Sequence, residues 1–244
     1  MRAIILAAGV ASRLRPLTNS TPKCLIKLAG KTILERTISN LLFSGINDFV
    51  IVTGYLQKQI KYFISSQFPS LNVKYIFNDK FEVTNNIYSL WLTKPEVWGR
   101  EFILLDSDII FDKKIISLLN DSAYQNVLAL RSDDHLNEEE IKVSLNSDGS
   151  VKEIGKEVSL EDAIGESIGI EKFGNRLSES LFQLLDRMIL QENQKNIFYE
   201  AAFQRLIDSG ERIFTEDVGK LKCIELDTPE DLQKAEREII FYLQ

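Results

Sequence analysis

The chain has 244 residues, of which 44% are hydrophobic and 27% charged, and its formal net charge is −7. That length suffices for one α/β domain with a full core, and the apolar and charged fractions are those of a globular protein. An acidic balance of this size excludes a general nucleic-acid binder, and no apolar run reaches the roughly 18 residues that a membrane helix needs. The apolar run at the N-terminus is too short for a secretory signal, and the two cysteines, Cys24 and Cys223, define no disulfide framework. Reduced thiols in a cytoplasmic protein are the expectation.

Ala3-Ile4-Ile5-Leu6 reads as a buried first strand. Ile33, Leu34, Thr37, Ile38, Leu41 and Leu42 recur at helical spacing over 33–44, with Gly45 as the C-cap. Residues 49–52 predict a second strand, followed by a turn at Gly54 and a helix over 56–67. A third strand at 73–77, a helix at 86–93 and a fourth strand at 101–105 follow. Past 120 the pattern changes to short strands at 127–130, 142–145 and 168–170, with helices at 177–193 and 229–242. Strand–helix alternation with short connections predicts an α/β fold with a parallel sheet flanked by helices. No repeat, low-complexity tract or linker divides the chain, so a single domain over 1–244 is expected. Ligands of such sheets bind beyond the carboxyl ends of the strands, so the loops after Leu6, Val52, Phe77 and Leu105 should line one crevice.

The first of those loops carries the strongest signal. Small residues at Ala7, Ala8 and Gly9, next to Leu6, allow close backbone approach to a ligand, and their N–H groups can face phosphate oxygens. Arg13 and Lys23 add a forked and a compact cation to the same segment. The result is a polyphosphate cradle, but it lacks both the Gly-Lys-Ser/Thr of a Walker loop and the spaced glycines of a dinucleotide fingerprint.

The run Leu6-Ala7-Ala8-Gly9-Val10-Ala11-Ser12-Arg13-Leu14-Arg15-Pro16-Leu17-Thr18, with Pro22-Lys23 after it, resembles the signature of the sugar-phosphate nucleotidyltransferase superfamily. The resemblance implies a Rossmann-like, GT-A-like domain with a mixed, mostly parallel sheet. About residues 1–120 would form the nucleotide-binding half and about 121–244 the acceptor-binding half. Asn85-Asn86-Ile87-Tyr88-Ser89-Leu90 replaces the Gln- and Gly-rich stretch of hexose-1-phosphate enzymes. In that respect the chain is similar to bacterial choline-phosphate cytidylyltransferases and their aminoethylphosphonate relatives. The implied reaction condenses a nucleoside triphosphate, CTP by preference, with a small phosphorylated acceptor and releases pyrophosphate. Sugar-1-phosphate transfer from dTTP, UTP or GTP is the alternative. A non-catalytic domain on the same scaffold is disfavoured, because its cations and carboxylates are all in place.

Asp106 and Asp108 follow a buried strand, where carboxylates suit Mg²⁺. Asp227 lies just before a helix, where capping, with Thr228 as the rival cap, explains it as well as chemistry does. The resemblance selects Asp108 and Asp227 as metal ligands. Ser107 replaces the usual glycine of that segment, which leaves Asp106 in contention. The resemblance makes Arg13, Lys23 and Lys156 catalytic, with Lys152 the rival of Lys156. Nucleotide contacts are assigned to Leu6, Ala7, Ala8, Gly9, Gly54, Asn78, Asn85 and Asn86. Helix capping accounts for Asn85 equally well. Tyr88 and Glu166 are the acceptor-binding candidates, Glu166 as partner of a substrate ammonium. Tyr88, Trp91 and Phe173 could cage a quaternary amine, although core packing explains such aromatics more often. His135, the one histidine, sits in an acidic run and reads as surface. Expected partners are the nucleotide and the acceptor, without nucleic acid or membrane, and a homodimer is allowed for.

Overall fold

The computed structural model of the chain describes residues 1–132 and 136–242. In chain order the first half comprises β1 (Arg2–Ala7), β2 (Lys27–Leu28), β3 (Lys31–Thr32), α1 (Ile33–Phe43), β4 (Asp48–Thr53), α2 (Gln57–Gln67), β5 (Asn72–Phe77), α3 (Asn86–Leu92), α4 (Lys94–Val97), β6 (Phe102–Asp106), β7 (Ile109–Phe111) and α5 (Lys114–Asp121). The second half comprises β8 (Val127–Arg131), β9 (Lys142–Leu145), β10 (Val151–Gly155), β11 (Gly165–Phe173), α6 (Asn175–Asp186), α7 (Glu200–Asp208), β12 (Phe214–Asp217), β13 (Cys223–Glu225) and α8 (Pro229–Lys234).

The central sheet runs β10-β9-β11-β6-β1-β4-β5, with β8 also paired to β11 and β12 to β8. The block β6-β1-β4-β5 is wholly parallel, whereas β11 joins it antiparallel to β6. The sheet is therefore mixed, mostly parallel at its centre, and flanked by helices on both faces, in keeping with the α/β expectation.

The apolar runs of β1, β4 and β6 have no polar face because both of their faces are buried. Ile4, Leu6, Val50, Val52, Phe102 and Leu104 pack on one side with Leu90, Leu181 and Phe203 from α3, α6 and α7. Ala3, Ile5, Phe49, Ile51, Ile103 and Leu105 pack on the other with Leu34, Ile60 and Ile115 from α1, α2 and α5. α1 shows why its boundaries were readable. The Thr32 side chain accepts from the Glu35 N–H at 3.0 Å. At the other end Gly45, at φ 78°, lets its N–H reach the Leu42 carbonyl and that of Ile46 reach Leu41.

Three of the differences from the predicted elements have a local cause. Leu56 is left-handed, at φ 49°, so α2 starts one residue later than expected. The helix expected over 229–242 is α-helical only to Lys234, then widens into a π turn over Ala235–Ile239 that keeps Ala235 and Ile239 on a small third core. The strand expected at 168–170 is the middle of the longer β11. Its register against β8 shifts between Ser167 and Glu171, with Gly169 at φ 70°. That bulge breaks the alternation a sequence pattern depends on.

The turn after β4 packs directly beneath the loop after β1. The Tyr55 N–H donates to the Ala8 carbonyl at 3.1 Å. A Cβ on Gly54 would lie 2.5 Å from that carbonyl oxygen and 2.7 Å from the Phe81 Cβ. Gly54 is thus required by close packing. Gly54→Ala should destabilise the fold by about 1–3 kcal/mol, the usual scale of overpacking. Chemical denaturation checks this, and an unchanged midpoint would speak against the close approach.

Candidate active site

The loop after β1 is held in a fixed shape by local bonds. Ala11 is left-handed, at φ 51°, and its carbonyl accepts from the Thr18 hydroxyl at 2.8 Å. The short turn Ser12–Leu14 then carries Arg13 to Asp227, at 2.5 Å. Lys23 opens a later short turn, Lys23–Leu25, and is nearly buried. Its ammonium lies 2.6 Å from Asp108 Oδ2 and 2.5 Å from Asp227 Oδ1. Residues 85 and 204 positions apart in sequence therefore meet at one point beyond the carboxyl ends of β1 and β6.

The carboxylates are brought together by a two-stranded ribbon. β7 and β13 pair antiparallel with Ile109 opposite Glu225, and the Leu226 N–H donates to the Asp108 carbonyl at 3.0 Å. Asp108, Glu225 and Asp227 each place one oxygen within 4.8 Å of the others. Thr228, not Asp227, caps α8 in a reciprocal capping box with Asp231. Asp231 also accepts from the Asp227 N–H at 3.0 Å. The Asp227 carboxylate is thereby left to face Lys23 and Arg13. Asp108 Oδ1 is buried and has no hydrogen-bond partner among the described residues. An all-oxygen donor set with an unsatisfied buried oxygen suits a hard divalent cation such as Mg²⁺.

The electrostatics follow from this geometry. Burial alone would lower the Lys23 ammonium, but the charges of Asp108 and Asp227 and hydrogen bonds to both raise it. Desolvation where it meets the trio, reinforced by the negative charges of Asp108 and Asp227, raises the Glu225 carboxyl, although the residue keeps a solvent-exposed face on its strand. Burial holds the Asp106 carboxyl well above the usual carboxylate range, with Asp108, Glu200 and Glu225 adding repulsion.

Asp106 itself lies outside the trio of Asp108, Glu225 and Asp227. Its Oδ2 accepts from the Tyr199 hydroxyl at 2.9 Å. Glu166 lies inside β11, where it is paired with Arg131. The expectation that it stands before the strand as a partner for a substrate ammonium is corrected by that ion pair. Lys156 pairs with Glu139 at 2.8 Å, rests over the Phe198 ring and acts electrostatically on Glu200. Lys152 pairs with Glu153 at 3.4 Å.

Asn78 is buried, and its side chain clamps its own loop. It donates to Thr84 and Ser89 and accepts from the Lys80 N–H. Asn85 caps α3 by accepting from the Asn86 N–H at 2.7 Å. Asn86 Oδ1 accepts from the Tyr199 N–H at 2.9 Å, tying α3 to the start of α7. Tyr88 is 6% exposed and packs on Trp91, and Phe173 is fully buried against Phe102 and Phe203. These rings belong to the core, the packing that the sequence favoured for them over a cage. Cys24 and Cys223 are free buried thiols, pushed up by burial to about 12 and about 11. Neither is poised for chemistry. His135 lies outside the described residues. No helix among the described residues is long and apolar enough to cross a membrane.

Sequence reasoning missed Glu225, Glu171, Tyr199 and Glu200. Glu225 stands two residues before Asp227, so a strand period of two already placed it on the same side. Glu171 is a charge inside an otherwise apolar strand. Tyr199 and Glu200 carried no local signal.

The Nucleotidyl transferase family model matches residues 2–139, more than half of the chain, and the chain belongs to that family. Over 127 aligned residues it is 39% identical to the choline-phosphate cytidylyltransferase of Streptococcus pneumoniae, covering 52% of this chain and 53% of that one. The match thus spans about half the length of that relative. The CTP:phosphoglutamine cytidylyltransferase of Campylobacter jejuni is 28% identical over 96% of this chain and 98% of its own. A solved structure of the S. pneumoniae CTP:phosphocholine cytidylyltransferase superposes with a TM-score of 0.81 at 26% identity, over 96% of this chain and 97% of that one.

Proposed function

We propose that the chain is a cytidylyltransferase that joins CTP to a small phosphate- or phosphonate-bearing acceptor and releases pyrophosphate. The observation that carries this reading is the meeting of Lys23 with both Asp108 and Asp227, at 2.6 and 2.5 Å, beside the phosphate-binding loop. The similarity, in sequence and in structure, to proteins described as cytidylyltransferases supports the choice of base.

In this reaction an acceptor oxygen attacks the α-phosphorus in line, and the bond to the β-phosphate oxygen breaks. The acceptor is largely ionised near neutral pH, so no general base is required. The residues supply position and charge. The small side chains of Ala7, Ala8 and Gly9 let the triphosphate approach the backbone. Arg13 and Lys23 neutralise the departing pyrophosphate. Lys156 draws in the acceptor phosphate. Asp108, Glu225 and Asp227 would hold Mg²⁺, which when bound supplies Lewis-acid charge neutralisation.

The test is pyrophosphate release with each of the four nucleoside triphosphates against phosphocholine, phosphoethanolamine, 2-aminoethylphosphonate and hexose 1-phosphates. CTP should exceed the other nucleotides, and EDTA should abolish release. Efficient use of glucose 1-phosphate with dTTP or UTP, without CTP turnover on any amino acceptor, would overturn the reading.

A further inference from the structure

Asp227 serves two cations of this chain at once. Its Oδ1 lies 2.5 Å from the Lys23 ammonium and its Oδ2 lies 2.5 Å from the Arg13 guanidinium. Both oxygens that would ligate a divalent cation are thus already ion-paired. Lys23 also takes Asp108 Oδ2, at 2.6 Å, so that only the buried Oδ1 of that carboxylate has no partner among the described residues. The cations that would meet a triphosphate and the carboxylates that would hold its metal therefore neutralise each other.

The ion pairs and metal ligation exclude one another. Mg²⁺ demands carboxylate oxygens at about 2.0–2.1 Å. An ammonium held at 2.5 Å from the same oxygen would stand beside it with charge of the same sign. That repulsion is only weakly screened, because Lys23 is nearly buried. The carboxylates are the fixed partners. The Leu226 N–H donates to the Asp108 carbonyl and the Asp227 N–H to Asp231 Oδ2, which pins the backbone beneath both. The cations are the movable ones. Lys23 carries its charge on a flexible four-carbon stem, and Arg13 reaches Asp227 from an exposed turn. Both can turn toward a ligand in the cradle at Ala7, Ala8 and Gly9 while the sheet stays in place.

We propose that Asp227 is a charge switch, held by Arg13 and Lys23 in one state and surrendered to a divalent cation as those two residues turn to the triphosphate. This rests on the cytidylyltransferase reading above for the identity of the two ligands. Because coupling between sites is reciprocal, metal and polyphosphate each favour the other through the protein, beyond their mutual attraction in solution. Each half of the switch also restrains the other. Removal of the lysine should improve metal binding, and removal of the carboxylate should improve polyphosphate binding without metal. A Lys23 that served phosphates alone would show neither effect.

The experiment titrates Mn²⁺ alone, without nucleotide, into the parent and Lys23→Met proteins, and calorimetry reads the affinity. Lys23→Met should bind Mn²⁺ at least about fivefold more tightly, the lower end of typical coupling between sites. In EDTA, tripolyphosphate should bind Asp227→Asn at least about fivefold more tightly than the parent. This second arm decides the matter if Lys23→Met does not fold. Arg15→Met and Glu230→Gln remove exposed charges of the same signs nearby. Each should stay within about twofold of the parent in the corresponding titration, since exposed charges are screened. Unchanged or weaker Mn²⁺ binding by folded Lys23→Met, unchanged tripolyphosphate binding by folded Asp227→Asn, or equal gains in the two control variants overturns the inference. None of these readouts depends on turnover, so nucleotidyl transfer stands if they fail. Absence of pyrophosphate release with every nucleotide and acceptor removes the proposed function instead, and leaves the switch to be judged by the binding shifts.

Discussion

Lys23→Ala should lower turnover by roughly 10²–10³-fold, the usual loss when one preorganised charge-stabilising group is removed from a transition state. The ammonium stands between Asp108 and Asp227 and is 11% exposed, so no other side chain can take its place without moving the loop. The deletion also leaves two carboxylates facing each other without their shared partner. Their repulsion is partly screened, because both remain about a quarter exposed. The folded variant should therefore be less stable without divalent cation, and Mg²⁺ should raise its melting temperature more than that of the parent. Steady-state rates close to the parent in a folded Lys23→Ala protein would remove Lys23 from the catalytic machinery.

Asp227→Asn and Asp108→Asn should each cost more than about 100-fold in activity, since even the outer partners of a metal ligand cost about 10–100-fold. The two carboxylates belong to the trio whose oxygens lie within 4.8 Å, and Asp108 contributes the buried oxygen that lacks a partner. Activity and Mg²⁺-dependent nucleotide binding should fall together in both variants. Calorimetric titration with CTP, with and without Mg²⁺, separates this from a folding defect. Retention of Mg²⁺-stimulated CTP binding by Asp227→Asn would show that its carboxylate is structural. The capping box already makes that role unnecessary, because Thr228 and Asp231 complete the helix start without it.

In the parallel half, β1, β4 and β6 were legible because they are buried on both faces and read as continuous apolar runs bounded by turns. Ile33–Phe43 was legible from its apolar spacing and from Gly45 at its end, while the Thr32 cap at its start is seen only in the structure. The antiparallel half was harder. β11 carries Gly165, Gly169 and a register shift, so only its middle was visible. The small elements α5, α7 and β12 owe their form to packing against the finished sheet, which a local pattern does not encode.

The site divides in the same way. Arg13 and Lys23 belong to a contiguous motif, whereas Asp108 and Asp227 were selected by the family resemblance, the residues alone leaving Asp106 and helix capping as alternatives. Glu225 ends β13, two residues before Asp227, and joins the trio through the pairing of β13 with β7. Glu171, Tyr199 and Glu200 meet Asp106 only through tertiary pairing, from residues 65 to 94 positions away, as the numbering shows. Glu166 misled because its neighbour Arg131 arrives from a different strand, β8. A charge that appears available in a sequence is often already paired in the fold.

The central claim is transfer of a nucleotidyl group to an acceptor, and the fate of a label tests it most directly. CTP carrying its label on the α-phosphorus is incubated with the protein, Mg²⁺ and phosphoethanolamine, and the products are separated. The account predicts that the α-label enters the acceptor adduct in a one-to-one ratio with pyrophosphate released. Label found only as free CMP or CDP, or unconverted CTP in the presence of every acceptor, would contradict it.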